Sequence, residues 1–349
     1  MTKIRKLGIV GFGGMAQFHL NEIETMPEIS IKGTFDIKEE RQSYARELGL
    51  NAYDSLEELL AEKDLDIVLI ATPNDAHKPI AIKALNAGKN VIVEKPATLN
   101  SKELQALIEC AEKAKRLLSV HQNRRWDEDY LTMKKIYQEN YLGTVFRIES
   151  RVHGSRGIPG DWRQLPEHGG GMVLDWGVHL FDQILQMVQE KIKRVYAQMT
   201  HVTNQLVDDG FFAELTFESG ITAAIEVGTN NFISLPRWYM LGSDGTAIIT
   251  DWNREAKIVR AAGMSEKDVV PVITAAGLTK TMAPRRKENL REEIIALEKS
   301  DVREFYQNYL AVLDGQEKSK ISLTEVMRVM KLMEAVFYSA NTGQVVGFE

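Results

Sequence analysis

The stretch HGGGMVLDWGVHLFDQIL carries Asp175, His179 and Asp182 at i, i+4 and i+7, and a lysine, Lys95, closes the apolar run NVIVEKP. On an α-helix that spacing puts two carboxylates and an imidazole on one face. Histidine exchanges protons near neutral pH, and a neighbouring carboxylate can orient it. A lysine ending an apolar strand is not an ordinary solvated cation. Beside a cofactor it serves as a proton carrier or as electrostatic support for a developing carbonyl. Glycines 169–171, just before the helix, leave room for another segment or a cofactor ring. Two other readings stay open: an Asp-His pair capping a buried helix, and a metal pair. Two ligands one turn apart need a third, and no HExxH or CxxC motif supplies it, so no metal is expected.

The segments that must position these groups carry their own chemistry. In GIVGFGGMA, the pattern Gly11-x-Gly13-x-x-Ala16 follows an apolar strand and opens a helix, as the G-x-G-x-x-G/A dinucleotide fingerprint requires. Gly11 permits the tight turn, Gly13 lets backbone approach a pyrophosphate, and Ala16 lets the helix pack closely on the strand. Phe12, Gly14 and Met15 complete a loop whose N–H groups and helix dipole attract phosphate. Asp36 closes the second strand in GTFDIKEE, 20 residues beyond Ala16. A carboxylate there accepts hydrogen bonds from the adenosine ribose and repels a 2′-phosphate, which points to NAD rather than NADP. Ligands of open parallel sheets bind beyond the carboxyl ends of the strands, so two further strand ends join the expected cofactor set. These are Ala71, Thr72, Pro73 and Asn74, with His77 beyond them, and Glu94 with Lys95; Gln122 completes the set. A chance meeting of a glycine turn with a strand-end aspartate is the alternative, and the further strands at the right intervals weigh against it.

Residues 1 to about 120 alternate β-rich runs with helical patterns, which predicts βαβ units and a doubly wound parallel sheet. After Trp126, long β-rich runs follow one another without crossover helices, with hairpins expected at ESG and GSDG. The fold class is therefore α/β: a Rossmann domain over 1–121, then an α+β domain over 122–349 with a large, mostly antiparallel open sheet. Helices are expected in NLREEIIALEKS, VREFYQNYLAVLDG and LTEVMRVMKLMEAVFYSANTG, with capping-box spacing at Asn100/Glu103 and Ser322/Glu325. Composition, with 44% hydrophobic and 26% charged residues, predicts a folded chain. A net charge of -6 with no basic stripe argues against nucleic acid, and no apolar run is long enough to span a bilayer. Glycines interrupt the apolar start, so no signal peptide is read and a cytoplasmic location is expected. The single cysteine, Cys110, reads as a small buried hydrophobe.

The combination GFGGMAQFHL, ATPNDAH, EKP and GGGMVLDWGVHLFD resembles the Gfo/Idh/MocA family of glucose-fructose oxidoreductase and inositol dehydrogenase relatives, in order and spacing from about residue 4 to 345. The resemblance implies Lys95, Asp175 and His179 beside the nicotinamide, substrates that are sugars, glycosides or cyclic polyols, and a C-terminal sheet that builds homodimers or homotetramers. SRGIPGDWRQ is similar to a segment that lies by the active site in relatives, making Trp162 and Arg163 candidate cofactor or sugar contacts. Arg124 and His153 are candidate grips on sugar hydroxyls. Ala16 departs from the glycine that many relatives carry.

The reaction implied is a reversible, NAD-dependent oxidation of a ring secondary alcohol. His179 is favoured as base, Asp175 as its orienter and Lys95 as polariser of the carbonyl, with Lys95 as base the other option. Two different outcomes remain: a glycosidase-type enzyme using transient oxidation and elimination, and a non-catalytic NAD-binding regulator.

Overall fold

Strands made only of apolar residues need cover on both faces, and the first half of the chain supplies it. The computed structural model describes residues 4–263 and 269–349. In chain order its first half runs β1 (Arg5–Val10), α1 (Gly14–Ile23), β2 (Ile29–Phe35), α2 (Glu39–Glu47), α3 (Leu56–Ala61), β3 (Ile67–Ile70), α4 (Asn74–Asn86), β4 (Asn90–Glu94), α5 (Ser101–Ala114) and β5 (Leu118–His121). All four residues of β3 are buried, as befits a central parallel strand. The strands pair in parallel in the order β2-β1-β3-β4-β5, as a doubly wound sheet should. The order reverses direction between β1 and β3, which opens a crevice at their carboxyl ends.

The second half follows with α6 (Glu128–Gln138), β6 (Val145–His153), α7 (Val178–Met187), β7 (Ile192–Thr200), β8 (Gly210–Phe217), β9 (Thr222–Gly228), β10 (Trp238–Gly242), β11 (Gly245–Ile249) and β12 (Ala256–Ala261). A small hairpin, β13 (Val272–Thr274) with β14 (Gly277–Thr279), precedes β15 (Leu290–Ile295), α8 (Arg303–Leu313), α9 (Leu323–Thr342) and β16 (Val346–Gly347). Nine strands form one sheet in the order β15-β12-β11-β10-β6-β9-β8-β7-β16. Its pairs are antiparallel apart from β6 with β9, and both expected hairpins, β8-β9 and β10-β11, are present. Helices α7 and α9 pack together, and α9 lies on β7.

The last helices return to the first half of the chain. Tyr306 of α8 is hydrogen-bonded to His19 of α1. The backbone N–H and hydroxyl of Ser101, at the start of α5, donate to Glu334 of α9 at 2.7 and 2.8 Å. Ser322 and Glu325 form the reciprocal capping box at the start of α9. Asn100 caps α5 by accepting from the Glu103 N–H, whereas the Glu103 side chain accepts from Leu99 instead of Asn100.

Two expectations are corrected. NLREEIIALEKS is not a helix: residues 290–295 form the edge strand β15, paired along its length with β12. The spacing of Leu290, Ile294 and Leu297 suits a helix, but the segment is mostly exposed, so a helix would gain little burial there, while the open edge of β12 pairs with it along its full length. Cys110 is only partly buried and sits 3.8 Å from the Asn86 side-chain oxygen. Among the described residues, no helix is long and apolar enough to cross a membrane.

Arg125 locks the junction after β5. Its guanidinium donates to both Asp182 oxygens of α7, at 2.7 and 2.6 Å, and reaches Glu325 of α9 at 3.2 Å. Replacing Asp182 with alanine removes the bidentate partner and leaves this largely buried cation only Glu325 and the Lys320 carbonyl, and removing one partner of a buried pair costs about 3 kcal/mol. We expect Asp182→Ala to lower the urea midpoint accordingly while leaving dinucleotide affinity unchanged.

Candidate functional site

The glycine loop stands at the carboxyl end of β1. Gly11 has a φ of +84°, and a Cβ there would lie 2.7 Å from the Ala71 carbonyl oxygen, so only glycine fits the turn. Hypothetical Cβ atoms on Gly13 and Gly14 meet nothing within 4 Å; both residues face an open cleft at the N-terminus of α1. Asp36 closes the loop from β2, accepting from the Phe12 N–H at 2.6 Å and the Lys38 N–H at 2.8 Å.

This cleft, about 520 Å³, is lined by Gly11, Gly13, Gly14, Met15, Asp36, Ala71, Thr72, Pro73 and Asn74, and farther along by Glu94, Lys95, Trp162, Arg163 and Asp175. Open backbone at a helix N-terminus, a carboxylate at one end and a lysine-carboxylate pair at the other suit a dinucleotide laid along the strand ends.

Four expected cofactor residues work from behind the surface. Phe12 is buried and contributes its N–H, and Ala16 is fully buried on the inner face of α1. The His77 ring is buried, with its nitrogens 2.8 Å from the Pro96 carbonyl and 2.9 Å from that of Thr72; burial lowers its pKa. It joins the β3 and β4 end loops and does not line the cleft. Gln122 is buried, and neither side-chain amide atom has a partner among the described residues.

The segment preceding α7 departs from the α-helical expectation. Val173–Gly177 is a π-turn with i→i+5 hydrogen bonding, which shifts Asp175 off the face that strict α-helical spacing assigns it. Asp175 gives its carboxylate to Lys95 Nζ at 3.1 Å and Arg163 Nε at 3.2 Å, and not to His179. Burial acts to raise its pKa, but the Lys95 and Arg163 cations outweigh it and hold the carboxyl below its usual range. Asp182, expected on the same face, belongs to the Arg125 lock. His179 is buried and lines neither cavity; burial first, then Lys95 and Arg124, hold its pKa well below the usual histidine value.

A second cavity, about 470 Å³, opens on the sheet of the second half and is lined by Arg124, His153, Trp176, Trp252 and, again, Asp175. Arg124 stacks on Trp176 at 4.2 Å and pairs with Asp127 at 3.0 Å. His153 accepts from the Leu235 N–H at 3.2 Å. Of the expected substrate contacts, Arg124, His153 and Asp175 meet in this cavity, while Lys95 and Trp162 line the cleft next to it.

Sequence reasoning missed Asp208, Trp252 and the buried cluster that the expected Glu94 forms with His19 and His121. Only the last left a trace, because Glu94 and His121 end neighbouring parallel strands and are register partners. The cluster offers three donor atoms to a metal. Its contacts of 2.6 and 2.8 Å are hydrogen bonds, shorter than the separation of ligands each about 2.1 Å from a tetrahedral zinc.

The fold and site define a dinucleotide-binding Rossmann protein with a second domain built on an open sheet. Residues 5–122 match the family described as "Oxidoreductase family, NAD-binding Rossmann fold", and residues 130–248 match the "GFO/IDH/MocA C-terminal domain". The chain belongs to the Gfo/Idh/MocA family. It is similar to the crystal structure of an NAD-binding protein from Listeria innocua, with 45% identity, a TM-score of 0.95 and 99% of each chain covered. It is 25% identical to scyllo-inositol 2-dehydrogenase (NADP(+)) of Bacillus subtilis, over 99% of this chain and 96% of that one. An uncharacterized oxidoreductase of Schizosaccharomyces pombe is 37% identical over 192 residues, 52% of this chain. The match spans about half the length of that relative (51%).

Asp208 generates a prediction about the site. Its carboxylate accepts from the Val173 N–H at 2.8 Å and its carbonyl from the Met172 N–H at 3.0 Å, which anchors the π-turn. Gly171, at φ +99°, makes room for it: a Cβ would lie 2.2 Å from Asp208 Oδ1. Burial, only partly offset by these N–H groups, raises the Asp208 carboxyl to about 7. The folded chain therefore holds this proton more tightly than the unfolded chain does. That stability is complete below pH ~4 and is lost as pH rises through about 7. We expect Asp208→Asn to flatten this decline by on the order of 1–3 kcal/mol in urea titrations between pH ~4 and ~8.

Proposed function

We propose that the protein is an NAD-dependent oxidoreductase that reversibly oxidises a secondary alcohol of a sugar, glycoside or cyclic polyol. One observation carries the reading: Asp175 lines both the dinucleotide cleft and the second cavity, so the two compartments meet at the Lys95–Asp175 pair. When bound, the nicotinamide would supply the hydride acceptor, with Lys95 and Asp175 as the residues to hold its end of the cleft.

Lys95 Nζ lines the cleft and is held by the Asp175 carboxylate and carbonyl at 3.1 and 3.0 Å; as the ammonium it gives its proton to the carbonyl oxygen in the reducing direction, and the amine so formed takes the hydroxyl proton back in the oxidising direction. This favours Lys95 over His179 as the proton carrier, because burial disfavours protonation of His179 and keeps it behind the surface. His179 stands as a neutral imidazole whose Nδ1 has no partner among the described residues. Asp175 orients the lysine and Arg163 together. Arg124 offers hydrogen bonds to the hydroxyls of the alcohol, while His153, its nitrogens facing the Leu235 N–H and Glu226, forms part of the cavity wall.

Asp36 supports NAD over NADP, since its carboxylate faces the adenosine end of the cleft and would repel a 2′-phosphate. The Bacillus subtilis relative is named for scyllo-inositol, which supports a cyclic polyol, and for NADP(+), which makes the cofactor a point to measure. A homodimer or homotetramer through the nine-stranded sheet belongs to the same proposal.

The test is absorbance at the NADH band with NAD and, in turn, inositols, free hexoses and glucosides. A rise with one class supports the reading; product without net NADH supports transient oxidation and elimination instead. Lys95→Ala should lose at least about 10²-fold in kcat while NAD binding, followed by fluorescence titration, persists. Asp36→Asn should lower the preference for NAD over NADP about tenfold.

A further inference from the structure

The cluster behind Lys95 places a buried carboxylate at one end of the dinucleotide cleft. Glu94, 4% exposed, ends β4 and lines the cleft beside Lys95. Its Oε1 accepts from His121 Nδ1 at 2.6 Å and His19 Nε2 at 2.8 Å, and its Oε2 accepts from the Lys95 N–H at 3.1 Å. Tyr306 bonds the other nitrogen of His19 and fixes that ring. Burial acts to raise the Glu94 pKa, but His121 and His19 outweigh it and keep the carboxyl well below its usual range.

The charges nearby explain why such a group would matter. Lys95 and Arg163 share the Asp175 carboxylate, and Arg163 also pairs with Asp161 at 2.8 Å, so these four charges balance and the Glu94 carboxylate adds a negative charge at this end of the cleft. That charge attracts an oxidised nicotinamide, which is a cation, and is indifferent to the reduced ring, which is neutral. Because the carboxylate is buried beside Lys95, its field acts at low local dielectric, where it is large.

We propose that Glu94 poises the cofactor: its fixed negative charge at the Lys95 end of the cleft favours the oxidised over the reduced dinucleotide and lowers the reduction potential of the bound couple. This rests on the dinucleotide reading above and adds a direction to it, since a bound cofactor with a lowered potential more readily gives its hydride to a carbonyl. Glu94 acts through the field it sets and through the Lys95 backbone, as a positioning residue.

The experiment is the ratio of NADH to NAD dissociation constants for the full chain, by isothermal titration calorimetry without substrate. Wild type should bind NAD at least as tightly as NADH. Glu94→Gln should shift the ratio about tenfold toward NADH, equivalent to about 30 mV upward in the bound couple. Tyr306→Phe, which loosens the cluster without removing charge, should leave the ratio within about twofold of wild type. An unchanged ratio in folded Glu94→Gln overturns the proposal and leaves the dinucleotide reading standing. A tenfold wild-type preference for NADH overturns it without any variant, and failure of wild type to bind either form overturns both.

Discussion

The contact between Lys95 and Asp175 joins the two halves of the chain at the point where chemistry is possible. One partner directly follows a buried parallel strand, and the other sits on a π-turn whose start is pinned by Asp208. Neither group can move far, because Lys95 is fixed through its N–H to Glu94 and Asp175 is shared with Arg163. An ion pair held at both ends has little rotamer entropy left to lose, so it can be presented to a ligand already oriented. The cleft and the second cavity meet at this pair and depend on its geometry.

Around the second cavity, the side chains form an alternating stack of cations and indoles. Arg124 lies over Trp176 and Trp252, and Arg237 over Trp252 and Trp238, at 4.2 to 5.2 Å. Arg237 is further held by Asp129 and Ser150. Cation–π contacts of this kind strengthen when water is excluded. Here they brace a wall contributed by the β5-α6 segment, the π-turn and the β11-β12 turn, three places far apart in sequence.

What was legible in the sequence was what local chemistry dictates. The glycine loop, Asp36 and the strand-end positions could be read because a βαβ unit writes turn, helix and carboxylate at fixed intervals, and the Ser322 cap because its partner is three residues away. The roles of Asp182 and Asp175 were not legible. Their partners, Arg125, Lys95 and Arg163, arrive from other elements, and a π-turn breaks the spacing on which the helical-face argument rests. Residues 290–295 misled for a related reason: their helical periodicity is real, but the edge of β12 decides the outcome. His19 and Tyr306, nearly the length of the chain apart, gave no signal at all.

That bond between α1 and α8 has a bearing on how the chain is made. The strands that carry the glycine loop emerge from the ribosome before β6 to β15, whereas α8 and α9, which seal one side of them, emerge after those strands. Until then His19 and the outer surface of β5 lack their cover, and the first half must wait with apolar surface open to other partners. Long-range closure of this sort also slows folding, because loop entropy is spent before the contacts form. A nascent chain stalled in its second half would therefore be a client for chaperones, although its dinucleotide fingerprint is already complete.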